Sequence, residues 1–338
     1  MFLYFMSECL KNEGVKPNAR HLSGILFKNT VLNKTQSEEC DRLWYNMSDD
    51  ERETLKTSLL GALACDESCV MRAAGSAISA VALLEIPYGQ WLDLIDTLCK
   101  NINHDLDYIR EASLLTLGYI CEELSKEHLQ KEQADYIISA FLQSLKDNHA
   151  NPKHIVQTIQ GVYHSVKFAA PHFEEGYGGT IMDGIIQTLK YNDTKVRTIA
   201  MQCIVEIVRL YYEAIEPFMG DITEVTFALA QNDEPEVKTQ AIEVWASLAE
   251  EEYRRIQRGV KIHHIIDRAL DSLLQIIMSA LQDQNFGNDN DDEEQWGSSV
   301  AAGCCLNLVS QVVKDRIVHP VAEFAAENLD KNSWEKKY

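Results

Sequence analysis

Residues 193–210 read DTKVRTIAMQCIVEIVRL. Val196, Ile199, Ala200, Cys203, Ile204, Ile207 and Leu210 recur at three- and four-residue spacing, which lines them up as one apolar stripe on a helix. Asp193 stands where an N-cap belongs, because its carboxylate can accept the free backbone N–H groups of the first turn. Arg197, one turn in, can reach an acid on a neighbouring unit.

The same opening recurs along the chain. Asp66 precedes Val70-Met71-Arg72-Ala73, Asp107 precedes Ile109-Arg110-Glu111-Ala112, and Asp233 precedes Val237-Lys238. The steps between these acids are 41, 86 and 40 residues, and Asn151-Pro152 fills the gap in the double step. A period near 40 with two helices per unit is the signature of HEAT and armadillo arrays. The repeated acid-and-base opening predicts a ladder of pairs between units, whose plainest role is structural.

Proline placement agrees. Pro17, Pro152, Pro217, Pro235 and Pro320 sit at expected helix starts, where a missing N–H costs nothing, and Pro87 and Pro171 separate neighbours. Period-two alternation is absent, so the fold class is all-α: one α-solenoid array over 1–338, about eight HEAT hairpins. Paired helices are expected near 2–12 and 17–33, 50–65 and 67–84, 90–103 and 107–124, 133–147 and 151–169, 174–190 and 194–212, 217–231 and 235–252, and 264–282 and 297–313, with an unpaired helix at 318–330. Long connections fall near 34–48 and 283–296, and a basic stretch lies between 253 and 263. Both ends lack the polar capping unit of a finished solenoid, so the array is expected to be truncated at both ends.

The chain carries 52 acidic and 31 basic residues, a formal charge of −21. Such a surface repels nucleic acid and anionic lipid and favours basic proteins or peptides. Met1 to Leu10 lacks a basic leader and meets Glu8 and Glu13, unlike a signal peptide, and no other run is expected to reach membrane-spanning length. Nine cysteines, several inside apolar patterns as at Cys121 and Cys203, read as small buried hydrophobes of a reducing compartment. Without secretion, the glycosylation-like triplets at 33, 46 and 192 carry no weight.

No catalytic constellation emerges. There is no phosphate-cradling Gly-x-x-x-x-Gly-Lys, no Gly-x-Ser-x-Gly and no His-Glu-x-x-His, so no enzyme and no cofactor are expected. Cys65 and Cys69 lack a second ligand pair, and adjacent Cys304 and Cys305 cannot both face one metal from a helix, so no metal is expected. His263 and His264, with no acidic or cysteine partner close in sequence, read as a solvated surface pair.

The features that carry binding are acidic. No Lys or Arg lies between Arg268 and Lys314, and Asp289, Asp291, Asp292, Glu293 and Glu294 crowd the middle of that interval. Uncompensated carboxylates repel one another, so 283–296 is expected as a mobile acidic loop inside one hairpin. Trp296 follows the acids at once, and an indole beside carboxylates can clamp Lys or Arg through cation–π contact and ion pairing together. Glu243 and Glu250 share one face of the helix opened by Pro235, with Trp245 nearby, and either extend a negative inner groove or are ordinary solvated glutamates.

Several segments together resemble the importin β family of nuclear import receptors: Ala82-Leu83-Leu84-Glu85-Ile86-Pro87 through Gln90-Trp91, Leu117-Gly118-Tyr119-Ile120-Cys121, Leu210-Tyr211-Tyr212 with Phe218-Met219-Gly220, and the acidic stretch ending in Trp296. The likeness runs across nearly the whole chain in the same order. It implies binding of Ran in its GTP form through inner helices and Asp289, Asp291, Asp292, Glu293 and Glu294. It implies that importin α or basic nuclear-localisation cargo is cradled from this region onward, with Glu243, Glu250 and Trp296 at family-like positions. It also implies that phenylalanine-glycine nucleoporins insert between outer helices at Ile138, Ser139, Leu142, Thr180 and Ile181, although the family usually has phenylalanine where Thr180 stands. A monomer of cytoplasm and nucleus, associated with the nuclear pore, would follow. Against the family the chain would begin inside the second repeat and stop at the ninth, and the run Arg254, Arg255, Arg258 and Lys261 is unlike it, either solvated or folded back on the acidic loop. The alternative reading is a HEAT scaffold or adaptor subunit of a larger complex, which would not need the acidic loop.

Overall fold

The computed structural model describes residues 1–32, 43–146, 152–282 and 297–329, and among them every regular element is helical. They form two compact units, Met1–Glu175 and Gly176–Tyr338. The first contains α1 (Phe2–Lys11), α2 (Pro17–Val31), α3 (Asp49–Leu63), α4 (Ser68–Glu85), α5 (Asp93–Asn101), α6 (Asp107–Glu123), α7 (Lys131–Lys146), α8 (Pro152–Ser165) and the short α9 (Ala170–Glu174). The second contains α10 (Gly178–Thr188), α11 (Thr194–Leu210), α12 (Met219–Asn232), α13 (Pro235–Gln257), α14 (Ile265–Gln282), α15 (Ser298–Val313) and α16 (Val318–Leu329).

Within each unit the packing is that of stacked hairpins. In the first, α1 packs on α2, α3 on α4, α5 on α6 and α7 on α8, and the second helices form a continuous layer from α2 through α4 and α6 to α8. In the second, α10 pairs with α11, α12 with α13 and α14 with α15, while α11, α13 and α15 form the corresponding layer. The fold is an all-α solenoid of HEAT repeats, as the sequence predicts.

The second helices carry the core. The predicted stripe of α11 is buried from Val196 to Ile207, but so are Met201 and Val208, because the helix is covered by its own partner and by the next layer helix. Leu210, the last residue of the stripe, is 45% exposed, since the helix ends there. In α4 burial extends nearly all round, from Val70 to Ala82. Ser68–Tyr88 is long and apolar enough to cross a membrane, contrary to the expectation of no such run, yet 78% of its apolar window is buried by neighbouring helices. Close approach in this layer depends on small residues. A Cβ on Gly24 of α2 would lie 2.7 Å from the Ala73 Cβ and 3.1 Å from its backbone, with no flexible side chain able to yield.

Helix termini partly follow the expected chemistry. Asp193 caps α11, accepting from the Val196 N–H at 3.2 Å. Ser48 and Glu51 form a reciprocal capping box at α3, whose backbone hydrogen bond holds the Glu51 carboxyl below its usual range. Asp66, Asp107 and Asp233 are not caps: Glu67, Leu106 and Glu234 occupy those positions, and Asp107 is already inside its helix. At the end of α1 the buried Arg20 donates from Nε to the Leu10 carbonyl at 2.8 Å, satisfying a group the helix itself leaves open.

Several boundaries moved, two of them with a visible local cause. The helix expected from 90 begins at Asp93, because Gly89 and Trp91 adopt positive φ (69° and 50°) and bend the chain first. The helix expected to end at 252 continues to Gln257, because Arg254 and Arg255 pair with Glu250 and Glu251 along its surface.

The predicted ladder has a well-formed rung at Arg197. Its Nε and Nη2 donate to the two Asp233 carboxylate oxygens at 2.8 and 2.6 Å, joining one hairpin to the next. Arg110 instead turns back to the His104 and Asp105 carbonyls and to Asp107. Burial alone would raise the Asp233 carboxyl, but Arg197 and the Glu234 N–H override it and hold it below its usual range. A depressed carboxyl stabilises the fold fully above the ordinary Asp range near 3.9, and that contribution is lost as pH falls through the lower folded value. Asp233→Asn should therefore cost about 2 kcal/mol, less than the ~3–5 kcal/mol of a fully buried pair because the rung is partly solvated. In thermal melts followed by circular dichroism, its deficit relative to the unaltered chain should be constant above about pH 5 and shrink below the ordinary Asp range. A deficit unchanged down to pH 2 would show that the rung is not the cause.

Candidate functional site

The candidate site is built on α13, the longest described helix, and on the segments against it in the second unit. Trp245 is 2% exposed, donates from Nε1 to the Thr226 hydroxyl of α12 at 3.0 Å and lies 4.9 Å from the Phe227 ring. It is a core residue holding α12 to α13, not an indole available to a ligand. Glu243 is half-buried and Glu250 exposed on the same helix, and Glu250 accepts from Arg254 at 3.0 Å. A basic ligand reaching Glu250 would have to compete with that arginine.

The end of α13 holds a polar network that sequence reasoning missed. Glu252, fully buried, accepts the Tyr212 hydroxyl at 2.9 Å and the Ile265 N–H at 2.7 Å on one oxygen and the Ile266 N–H at 3.4 Å on the other. One carboxylate thus caps the first turn of α14 from another helix, and its negative charge matches the positive end of the helix dipole. The Tyr212 hydroxyl also accepts the His263 N–H at 2.8 Å. Burial, opposed by that N–H and supported by Glu252, pushes the Tyr212 phenol well above its ordinary pKa. The Arg255 guanidinium covers the Tyr212 ring at 4.4 Å and pairs with Glu251 and Glu213. His263 packs on the same ring and lies 3.5 Å from Glu213, so it is not a solvated surface residue, although His264 is exposed. Arg268 adds a two-pronged pair to Glu216 at 2.8 and 2.9 Å. Tyr212 lies 40 residues from Glu252 and 51 from His263, which is why no local pattern announced the network.

The first unit holds a counterpart. Glu85, 1% exposed at the end of α4, accepts from Trp44 at 3.1 Å and from Lys56 at 3.0 Å. Burial alone would lower the Lys56 pKa, but Glu85 and Glu53 raise it above its ordinary value, so the amine stays charged.

The remaining predicted residues are divided. Asp289, Asp291, Asp292, Glu293, Glu294 and Trp296 lie outside the described residues. Ile138 and Leu142 are 3% and 6% exposed in the first unit, and Ser139 between them faces solvent. Ile181 is 2% exposed in the second unit, next to exposed Thr180. The three apolar members are thus core positions of their own units. Cys99 and Cys121 are buried thiols, their pKa pushed up by desolvation to about 12, whereas Cys304 is exposed.

Residues 1–64 match the importin-beta N-terminal domain. Importin subunit beta-1 of Arabidopsis thaliana is 28% identical over 99% of this chain and 40% of its own length. The protein of the same name from Schizosaccharomyces pombe is 26% identical with the same coverage. Yeast importin-beta (Kap95p) superposes with a TM-score of 0.91 at 25% identity, over 98% of this chain and 40% of that one. A Kap95:Nup1 complex matches at 0.87 with the same identity and coverage. Over nearly its whole length the chain is similar to importin β proteins. It spans about 40% of the length of the importin β relatives it matches.

In this chain the Glu252 network fixes how α14 starts. Glu252→Ala would strand the Tyr212 hydroxyl and two α14 amides, about 1–3 kcal/mol for each buried group left unpaired. Hydrogen exchange should then quicken at 263–268, while peptides of α1–α8 keep their protection. Unchanged protection of Ile265 and Ile266 would refute the capping role of Glu252.

Proposed function

We infer that this chain is a nuclear transport receptor segment that binds Ran in its GTP form, phenylalanine-glycine nucleoporins, and basic nuclear-localisation cargo or importin α, and that it works in cytoplasm and nucleus and at the pore. The observation that carries this reading is that one likeness to importin β runs end to end, joining the HEAT fold to the acidic stretch before Trp296. The acids Asp289, Asp291, Asp292, Glu293 and Glu294 offer Ran and basic segments a dense set of carboxylates without a neighbouring Lys or Arg. Glu243 and Glu250 extend that offer along α13, Glu250 once Arg254 lets go. Because both ligands would use the same acids, binding of the GTPase would release cargo.

For nucleoporins, the family-like positions are Ile138, Ser139 and Leu142 in the first unit and Thr180 and Ile181 in the second, each set taken by itself. Ile138, Leu142 and Ile181 are buried, so a phenylalanine could reach any of them only by parting the helices around it, whereas Ser139 and Thr180 are exposed. This is a binding activity and not catalysis, since the segment needs only complementary charge and crevices.

The reading is tested by retention of Ran loaded with a non-hydrolysable GTP analogue on the immobilised chain. Changing the five acids of 289–294 together to Ser should cut retention at least tenfold, and raising salt from 50 to 300 mM should weaken capture of a basic importin α segment, because exposed charge pairs are screened. Absence of Ran binding, or binding indifferent to the five changes, would sink the reading in favour of a passive scaffold.

A further inference from the structure

In a chain with a formal charge of −21, the turn after α13 gathers cations. Arg258 caps that helix and is exposed, and Lys261 follows three residues on, also exposed. Arg254, Arg255, Arg268 and Arg316 are each matched by a carboxylate. Arg258 and Lys261 have no ion pair among the described residues, so they are the cations this region leaves uncommitted.

Lys261 borders an open cavity of about 490 Å³ whose wall is largely apolar: Ile256, Val260, Ile262 and Val312. None of the four is buried, and Val260 is 48% exposed. Two carboxylates also border the cavity, and both are engaged. Glu252 holds the Tyr212 hydroxyl and the first amides of α14, while Asp267 is paired with Arg316. The charge left over at the mouth is therefore positive, and the space suits one or two side chains of a ligand.

We propose that this cavity docks an acidic peptide segment of a partner protein, with an aliphatic or aromatic side chain entering beside Val260 and Val312 while flanking carboxylates meet Lys261 and Arg258. The net negative charge of the receptor does not forbid it, because at physiological salt charges are screened beyond ~8 Å and the ligand is governed by its immediate neighbours. Exposed ion pairs are individually weak, so the apolar wall supplies most of the affinity and the two cations supply the selectivity. The site is opposite in sign to the one proposed for Ran and basic cargo and stands or falls independently of it.

The test is fluorescence anisotropy of the whole chain with a fluorescein-labelled twelve-residue peptide carrying a Leu-x-x-Leu pair among glutamates, and with a second peptide in which lysines replace the glutamates. Saturable binding of the acidic peptide only is expected. Arg258→Glu with Lys261→Glu should weaken it at least tenfold, and Val260→Asp, a change at an exposed position, should do the same with an unaltered circular dichroism melt. Equal binding of both peptides, no saturable binding, or affinity indifferent to these variants would overturn the proposal. So would capture of the chain by phosphatidylserine vesicles or poly-U RNA in place of the peptide.

Discussion

A HEAT hairpin cannot bury its own apolar surface. Each second helix has a stripe facing its partner and another facing along the array, and only the next hairpin can cover the latter. The double burial of α11, where Met201 and Val208 are covered as well as the predicted stripe, is the direct expression of that constraint. At roughly 1.5–3 kcal/mol for each large aliphatic side chain removed from water, the layer of second helices supplies most of the driving force in each unit.

Apolar stacking is nondirectional, so register between hairpins needs fasteners. Glu85 and Glu252 answer this need at matching places, each the eighteenth residue counted from the start of its helix, Ser68 and Pro235. Each is buried, and each binds an aromatic side chain from the segment about forty residues earlier, Trp44 in one case and Tyr212 in the other. A buried carboxylate left unpaired would be strongly destabilising, so a slipped register that separated it from its partners would be penalised. The Arg197–Asp233 rung works in the same way at the opposite end of the second helices.

The fold was legible because periodicity and punctuation survive in a single sequence: stripes at three- and four-residue spacing mark helices, and Pro17, Pro152 and Pro235 mark three of their first residues. The caps were less legible because Asp near a helix start is only a candidate, and local geometry gave the role to Asp193 alone of the four acids proposed. The burial of Trp245 was not legible beside Glu243 and Glu250, because a helical wheel cannot tell one covered face from two. Tyr212, Glu252 and His263 could not be assembled at all, since their contacts join positions one repeat apart that carry no local motif. The binding roles expected of Asp289, Asp291, Asp292, Glu293, Glu294 and Trp296 rest on composition and resemblance.

Charge is organised in the same graded way. Where arginines lie along α13, carboxylates one turn away have already claimed them, so the helix surface is polar but nearly neutral. Beyond Gln257 the helix ends and the spacing that made those pairs ends with it, because side chains in a turn no longer recur over one another at i and i+4. Arg258 and Lys261 are left uncommitted for that reason, beside a largely apolar cavity that Glu252, the cap of α14, also borders. The same carboxylate that locks the hairpin thus shapes the surface next to it, and a ligand at that surface would sense any loosening of the lock.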